Sequence, residues 1–304
     1  MVRRVVLRGL GIFLGFSVPA FAAACHVELL ASVPVTLAGR TPLVTVMVDG
    51  QPARFILDTG AERTVVSEAA AARLGLPRDK WVGTTMGGVG GVNSRPNALP
   101  RSLSLGGVAL VRNTLNHDTS LVVTPTLRGV PLTVADGLLG RDFLSVFDLD
   151  LDTVHRTLGL ETVHDCAGRF LPWHGPYAAM PATLAMGGAV ILPVVLDGRP
   201  LRALLDTGAS SSLLAAPGMF RMGLTVATVA DDPSDVVSGV GPRSVVMRRH
   251  RFGALSVAGK VDAQPEIWVA PVHLVPIVDL LLGMDWLAGR EVWISYATRQ
   301  VFVR

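Results

Sequence analysis

Short apolar runs bounded by Gly, Pro, Asn and Asp recur along most of the chain, and such runs are typical of buried or half-buried strands. An Asp-Gly pair separates two of these runs at residues 49–50 and again at 197–198, which is a strong signal for a two-residue hairpin turn. Three further stretches are broken by Gly, Asn and Asp: residues 99–111, 121–123 and 147–160. The pattern predicts an all-β protein.

One helix is predicted over residues 68–74, with Ser67 as its N-cap and Gly75 after its last turn. The corresponding stretch later in the chain contains Pro217 and Gly218. Both residues disfavour a helix interior, so at most a short turn is expected there.

The chain repeats itself. Ten of the sixteen residues at 46–61 recur at 194–209, which lies 148 positions later. A second pair of similar segments, 136–144 and 279–287, follows at an offset of 143. Two copies at nearly equal offsets indicate a tandem duplication of one unit.

The segments 46–61 and 194–209 each contain Asp-Thr-Gly near their ends, at residues 58–60 and 206–208. If a pseudo-two-fold axis relates the two halves, Asp58 and Asp206 face each other across it. Two adjacent carboxylates cannot both ionise easily, so the pair shares one proton. The ionised member can activate a water while the protonated member hydrogen-bonds a scissile carbonyl, which is general acid–base catalysis without a metal.

These residues resemble the retropepsin-like branch of the aspartic proteases, over residues 40–160 and 185–304. The segments that carry the resemblance are the two Asp-Thr-Gly-Ala loops, Leu138-Leu139-Gly140, Leu281-Leu282-Gly283 and the Gly140-Arg141-Asp142 turn. The resemblance implies a bilobal acid-protease fold, in which two homologous β-barrel-like lobes flank a peptide cleft. It also implies that Asp58 and Asp206 are catalytic.

The same resemblance assigns supporting roles to the other residues of the two loops, and hydrogen bonds across the axis to the two threonines. These supporting residues are Thr59, Gly60, Ala61, Thr207, Gly208 and Ala209. Ala61 and Ala209 stand where pepsins often carry a hydroxyl that favours the charged carboxylate. Without that hydroxyl, we expect a mildly acidic pH optimum.

Family members cover the cleft with glycine-rich hairpin flaps, and each half has one candidate segment without a tyrosine. The candidate substrate-binding residues are Gly88, Val89, Gly90 and Gly91 in the first half and Gly239, Val240 and Gly241 in the second.

The composition excludes several other classes of protein. Half of the residues are hydrophobic and 17% are charged, which excludes a disordered chain. Beyond the N-terminus no apolar run approaches the roughly 20 residues of a membrane-spanning helix. The basic residues are spread along the chain, so no nucleic-acid partner is expected, and the seven histidines lack the spacing of a metal site. No metal or cofactor is expected.

The first 24 residues have the basic start, apolar middle and small-residue cleavage sites of an export signal. The secretory and twin-arginine routes both remain open, and so does an uncleaved anchor. Cys25 and Cys166 are expected to form a disulfide in an oxidising compartment, with lipidation of Cys25 as the alternative. The protein is therefore predicted to be periplasmic or extracellular.

The predicted organisation is a signal peptide (1–24), an N-terminal lobe (25–165), a linker (166–180) and a C-terminal lobe (181–304). Residues 26–40 are interpreted as a first strand, with a short pro-segment as the alternative. We predict a monomeric aspartic endopeptidase acting on peptides or unfolded proteins. The alternatives are an inactive peptide-binding or sensory module of the cell envelope and a scaffold for assembly.

Two smaller expectations concern side-chain environment. Trp81 is expected to pack in the core. Asp148, Asp150 and Asp152 alternate along one strand and are expected on a solvated strand face.

Overall fold

A computed structural model describes residues 24–88, 91–111, 118–124, 134–238 and 244–304. The elements of the first half are β1 (His26–Pro34), β2 (Thr36–Ala38), β3 (Thr41–Val48), β4 (Gln51–Leu57), β5 (Val65–Ser67), α1 (Glu68–Arg73), β6 (Arg78–Gly88), β7 (Gly91–Ala98), β8 (Leu103–Leu105), β9 (Val108–Ala109), β10 (Val122–Thr124), β11 (Gly137–Leu139), α2 (Arg141–Leu144), β12 (Asp148–Asp152) and β13 (Thr157–His164).

The elements of the second half repeat this series, with one additional 3-10 turn before the third strand. They are β14 (Ala178–Pro181), β15 (Thr183–Ala185), a 3-10 turn (Met186–Gly188), β16 (Ala189–Leu196), β17 (Arg199–Leu205), β18 (Leu213–Leu214), α3 (Ala216–Met222), β19 (Ser234–Ser238), β20 (Ser244–Arg251), β21 (Ala254–Val257), β22 (Lys260–Ala263), β23 (Glu266–Val269), β24 (Leu280–Leu282), α4 (Met284–Leu287), β25 (Glu291–Ser295) and β26 (Gln300–Val303).

Each half forms its own curled sheet, and the strand orders correspond. The first lobe has the order β10-β5-β11-β4-β3-β8-β9, and the second contains β23-β18-β24-β17-β16-β21-β22. In both lobes the strand before the Asp-Thr-Gly loop pairs in parallel with the strand before the Gly-Arg-Asp or Gly-Met-Asp turn. The predicted duplication and the all-β, two-lobed fold are confirmed.

The Asp-Gly pairs form the predicted hairpin turns between β3 and β4 and between β16 and β17. Both residues of each turn have positive φ, 49° and 77° at Asp49 and Gly50 and 46° and 76° at Asp197 and Gly198. Two consecutive positive φ angles are the requirement of the type I′ turn, which the Asp-Gly sequence satisfies.

A six-stranded sheet joins the lobes, in the order β1-β13-β12-β25-β26-β14. Its first three strands come from the first half of the chain and its last three from the second half. We call it the shared sheet. The predicted disulfide between Cys25 and Cys166 is present at its edge, where β1 pairs with β13. Residues 26–40 contribute β1 and β2, as the first-strand interpretation predicted.

The segment between the lobes packs against one face of the shared sheet. Leu171 is buried there with Trp293 and Phe302, and Trp173 and Tyr177 lie against them. Trp173 and Tyr177 meet edge to face, with ring centroids 5.7 Å apart. Although this segment is rich in Gly and Pro, its aromatic side chains form part of a hydrophobic cluster.

The helix prediction is confirmed in the first lobe and wrong in the second. The Ser67 hydroxyl accepts a hydrogen bond from the Ala70 amide at 3.0 Å, which caps α1. The second-lobe helix α3 has seven residues, one more than α1. Pro217 lies in its first turn, where a missing amide costs nothing, and Gly218 is required because a Cβ there would lie 2.3 Å from the carbonyl oxygen of Asp279.

Two expectations about side-chain environment are wrong. Trp81 is 93% exposed, because it lies in a bulge of β6 where the Asp79 carboxylate accepts the amide hydrogens of residues 81 and 82. Asp148 and Asp152 are buried and Asp150 is half-buried, and the indoles of Trp293 and Trp173 donate to Asp148 and Asp150.

Within the described residues, no helix is long and apolar enough to cross a membrane.

Candidate active site between the lobes

The two Asp-Thr-Gly loops begin at equivalent strand ends. β4 and β17 each end one residue before the aspartate, and β11 and β24 run parallel beside them. The amide of Asp58 donates to the carbonyl oxygen of Leu139 and that of Asp206 to Leu282, each at 3.0 Å. The two aspartates therefore leave their sheets at matching positions.

The threonines connect the loops across the axis, as the resemblance implied. The Thr59 amide donates to the Thr207 hydroxyl at 3.0 Å, and the Thr207 amide donates to the Thr59 hydroxyl at 3.1 Å. Each hydroxyl donates onward to the strand of the opposite lobe, to Leu205 at 2.9 Å and to Leu57 at 2.6 Å. Both threonines are buried, so these four bonds fix the spacing of the loops.

Asp58 and Asp206 face each other across this axis, and the glycines of the loops make the approach possible. A Cβ added to Gly60 would lie 2.3 Å from the carboxyl carbon of Asp206. A Cβ added to Gly208 would lie 2.3 Å from that of Asp58. Any larger residue in either position would displace the opposite carboxylate.

Backbone amides orient each carboxylate through its Oδ1 atom. Asp58 accepts hydrogen bonds from the amides of Gly60 at 3.0 Å and Ala61 at 2.8 Å. In the second lobe, Asp206 accepts the corresponding bonds at 2.8 and 3.2 Å. Because these donors belong to the aspartate's own loop, each carboxylate is held rigidly while its second oxygen remains available.

Burial raises the pKa of both carboxyl groups. For Asp58 this rise is opposed, in decreasing order, by the Ala61 amide, the hydrogen bond with the Asp206 side chain, the Gly60 amide and the charge of Arg141. For Asp206 the negative charge of Asp58 adds to the effect of burial, so its pKa lies well above the ordinary range. The pair therefore holds one proton over a range in which an isolated carboxyl group would be ionised.

The turns after β11 and β24 support the loops in the same way in both lobes. The Asp142 carboxylate accepts hydrogen bonds from the Thr64 amide at 2.9 Å and from its hydroxyl at 2.6 Å. Asp285 accepts the matching pair from Ser212, at 2.8 and 2.7 Å. A small hydroxyl residue is therefore used at this position in each copy.

Arg141 is the site residue whose role the sequence did not predict. It is 2% exposed, and its guanidinium donates to the carbonyl oxygens of Gly60 at 2.5 Å and Gly187 at 2.7 Å. The residue in the same place in the second lobe is Met284, which is also buried. The sequence signal that could have identified Arg141 is its replacement by Met284 in the otherwise similar segments 136–144 and 279–287.

The flap residues predicted from sequence are only partly within the described chain. Gly88 and Gly91 pair at the ends of β6 and β7, so the first candidate flap is a two-stranded hairpin. In the second lobe β19 and β20 form a hairpin whose second strand also pairs with β23. The remaining predicted flap residues lie outside the described residues: Val89, Gly90, Gly239, Val240 and Gly241.

Comparison with known families is consistent with the geometry of this site. A family model described as aspartyl protease matches residues 44–143 and again 192–286, which together make up more than half of the chain. The chain belongs to the aspartyl protease family. Each match contains one Asp-Thr-Gly loop of this family member and the turn that supports the loop.

Among solved structures, the protein is similar to an aspartic proteinase from Irpex lacteus. The two share 11% sequence identity with a TM-score of 0.49, over 92% of this chain and 97% of that one. The comparison with curated protein sequences finds no match.

No group of three or more His, Cys, Asp or Glu side chains in the described part of this aspartyl protease is arranged to hold a metal ion.

Proposed function

We propose that this aspartyl protease is an endopeptidase that hydrolyses peptide bonds by water activation between Asp58 and Asp206. The observation that carries the proposal is the opposition of two oriented carboxylates whose pKa values burial raises. Groups that share one proton in this way can act as base and acid in the same step.

The reaction needs no metal and no covalent intermediate. The ionised aspartate removes a proton from water as the water oxygen attacks the peptide carbonyl carbon, and the protonated aspartate gives its proton to the carbonyl oxygen. The tetrahedral diol then breaks its carbon–nitrogen bond, with proton transfer to the leaving amine. The rigid loops keep both carboxyl groups in place, which lowers the cost of orientation.

The proposed substrate is an extended segment of a peptide or an unfolded protein. Such a segment can enter a cleft between the lobes as an added strand, its backbone pairing with the flaps. Both aspartates belong to one chain, so the proposed active form is a monomer.

The disulfide between Cys25 and Cys166 supports a location outside the cytoplasm, because such bonds persist in oxidising compartments. We propose export to the periplasm or beyond, with residues 1–24 as the export signal.

The test is cleavage of a mixed peptide library by the wild type from about pH 3 to pH 8, beside Asp58→Asn, Asp206→Asn and the control Asp231→Asn. Asp231 is exposed on a second-lobe turn, so its variant should keep full activity. We expect cleavage between apolar residues, with a maximum in the mildly acidic range, that is lost in both dyad variants.

Cleavage that survives both dyad substitutions would assign the activity to another site or to a contaminant. Peptide binding without cleavage at any pH would instead support the alternative of a non-catalytic binding module.

A further inference from the structure

The turns after β11 and β24, which support the two Asp-Thr-Gly loops, are closely matched. One buried position in them differs between the lobes. α2 begins with Arg141 and α4 begins with Met284, and both turns lie next to a catalytic loop. The amide of residue 141 donates to the carbonyl oxygen of Ala61 and that of residue 284 to Ala209, at 3.0 and 2.8 Å. The backbone is thus equivalent, and only the first lobe places a cation there.

The Arg141 guanidinium acts directly on the first loop. Nη1 donates to the carbonyl oxygen of Gly60, whose amide in turn donates to Oδ1 of Asp58. Nε donates to the carbonyl oxygen of Gly187, which belongs to the second half of the chain. The guanidinium is therefore held by hydrogen bonds to both halves of the chain, next to the Asp58 loop.

One anion near the loops, Glu62, interacts with the charge of Arg141 more strongly than either dyad aspartate does. The groups that interact electrostatically with Arg141 are Glu62, Tyr296 and the two dyad aspartates. Glu62 is exposed, so water screens its charge, and burial raises the pKa of Tyr296, which keeps that phenol neutral.

The acidic groups of the supporting turns increase the difference. Asp142 is paired with Arg63, whose Nε lies 3.3 Å from its Oδ2. The matching Asp285 receives its hydrogen bonds from neutral donors, the amide and hydroxyl of Ser212 and the amide of Trp286. Two arginines, Arg141 and Arg63, therefore contact the Asp58 loop or its supporting turn, although the charge of Arg141 also acts on Asp206.

We propose that Arg141 is a positioning residue that makes the dyad unequal, so that Asp58 ionises first and takes the proton from water while Asp206 keeps the shared proton. The inference rests on the proposed function for its kinetic meaning, but the order of ionisation is a property of the folded protein alone. The geometry that carries the inference is the hydrogen bond from Arg141 to the carbonyl oxygen of Gly60 in the Asp58 loop, and the charge of Arg141 is one of the influences that lower the pKa of Asp58.

The first experiment gives the first lobe the residue that the second lobe has at the matching position. Arg141→Met should move the acid limb of the pH–rate profile upward by about one pH unit, since a nearby cation no longer favours ionised Asp58. Arg141→Lys keeps the charge and should move that limb much less. Arg73→Met removes a surface cation of the same lobe, 51% exposed, and should leave the profile in place.

The reciprocal variant, Met284→Arg, covers the case in which Arg141→Met does not fold. A cation beside Asp206 should favour its ionisation, so the alkaline limb should move to lower pH while the acid limb changes little. A purely structural role for Arg141 would lower the rate without moving either limb, and that result would overturn the proposal.

The second experiment does not need activity. Carboxyl carbons of aspartate are labelled with carbon-13 and titrated by NMR, with Asp58→Asn and Asp206→Asn used to assign the two signals. We expect the Asp58 signal to titrate first in the wild type and the interval between the two to shrink in Arg141→Met. An Asp206 signal that titrates first, or an unchanged interval in the variant, refutes the proposal.

The two experiments separate failure of this inference from failure of the proposed function. If the wild type cleaves no peptide but Asp58 still titrates first, the endopeptidase proposal fails and the inference stands. If the wild type cleaves peptides and neither measurement responds to Arg141→Met, the inference fails and the endopeptidase proposal stands.

Discussion

The ion pairs that hold the helices are matched between the two lobes, whereas the candidate flaps and the buried turns beside the Asp-Thr-Gly loops differ. In each lobe an arginine on the helix pairs with the aspartate that precedes the Leu-Leu-Gly segment. Arg73 Nη2 lies 2.7 Å from Asp136 Oδ1, and Arg221 Nε lies 2.8 Å from Asp279 Oδ1. The same aspartates also accept an amide hydrogen from the strand before the loop, at 2.9 Å in both lobes.

By contrast, the candidate flap β6–β7 of the first lobe is a separate two-stranded hairpin, whereas β19–β20 of the second lobe continues into the main sheet. The buried turn carries Arg141 in the first lobe and Met284 in the second. The matched Arg–Asp pairs stabilise the same packing in each lobe. The unmatched hairpins and the Arg141/Met284 position are where the two lobes can have different roles in the proposed reaction.

The largest expected effect tests whether the copies are equally necessary. Gly60→Ala and Gly208→Ala each place a Cβ against the opposite carboxylate, so each should lower kcat/KM by about 100-fold or more. Peptide-cleavage kinetics measure this. A large loss from one substitution and none from the other would show that the two aspartates are not held against each other as described.

A second comparison breaks the hydrogen bonds that the lobes exchange. Thr59→Val and Thr207→Val each remove a buried hydroxyl and leave an amide of the other loop without its acceptor. Each should lower the free energy of unfolding by about 1–3 kcal/mol, measured by denaturant titration. Thr59→Ser and Thr207→Ser keep the hydroxyl and serve as controls. Equal losses for Val and Ser would contradict this explanation.

The helices give a comparison that should differ between the lobes. Gly218 of α3 occupies the position of Ala70 of α1, and a Cβ there would approach the Asp279 carbonyl oxygen to 2.3 Å. Gly218→Ala should therefore destabilise the protein by about 1–3 kcal/mol, although alanine is the better helix former. Ala70→Gly should cost about 1 kcal/mol. Thermal or denaturant unfolding measures both changes. A Gly218→Ala variant more stable than the wild type would disprove the close approach.

The smallest expected effect contrasts the shared sheet with the lobes. Burial raises the pKa of Asp150 from 3.8 to about 7, although a hydrogen bond from Trp173 opposes the rise. The folded protein therefore binds a proton more tightly than the unfolded chain, so the free energy of unfolding falls as pH rises from about 4 to 7. Burial likewise raises the pKa of Glu161 to about 7.

Asp150→Asn keeps the acceptor for Trp173 and removes the ionisation. It should be more stable than the wild type at pH 8 by about 1–2 kcal/mol and nearly equal to it at pH 4. Denaturant unfolding at the two pH values measures this difference. Equal stability at pH 8 would show that the Asp150 carboxylate is already hydrated in the folded protein.

Local signals in the sequence were sufficient wherever neighbouring residues decide the structure. Asp49-Gly50 predicted a hairpin because only its own φ angles are involved, and Ser67 predicted the start of α1 because it bonds an amide three residues later. The loops Asp58–Gly60 and Asp206–Gly208 could be matched because the duplication supplies two copies to compare.

Features that depend on distant parts of the chain could not be predicted in this way. The burial of Asp148 depends on Trp293, 145 residues away, whose indole nitrogen donates to it. The helix α3 contains Gly218 where it packs against the carbonyl oxygen of Asp279, a contact between residues 61 positions apart. Arg141 stood within a recognised motif, but its bond to Gly187 appears only when both halves of the chain are assembled.

The shared sheet also determines when the dyad can exist during synthesis. Its central pair joins β12, at the middle of the chain, to β25, which begins at Glu291. While a nascent chain still lacks that strand, the second lobe has no fixed position beside the first. The chain must therefore be synthesised almost to Ser295 before the strand that positions the second lobe is complete and the two aspartates can meet.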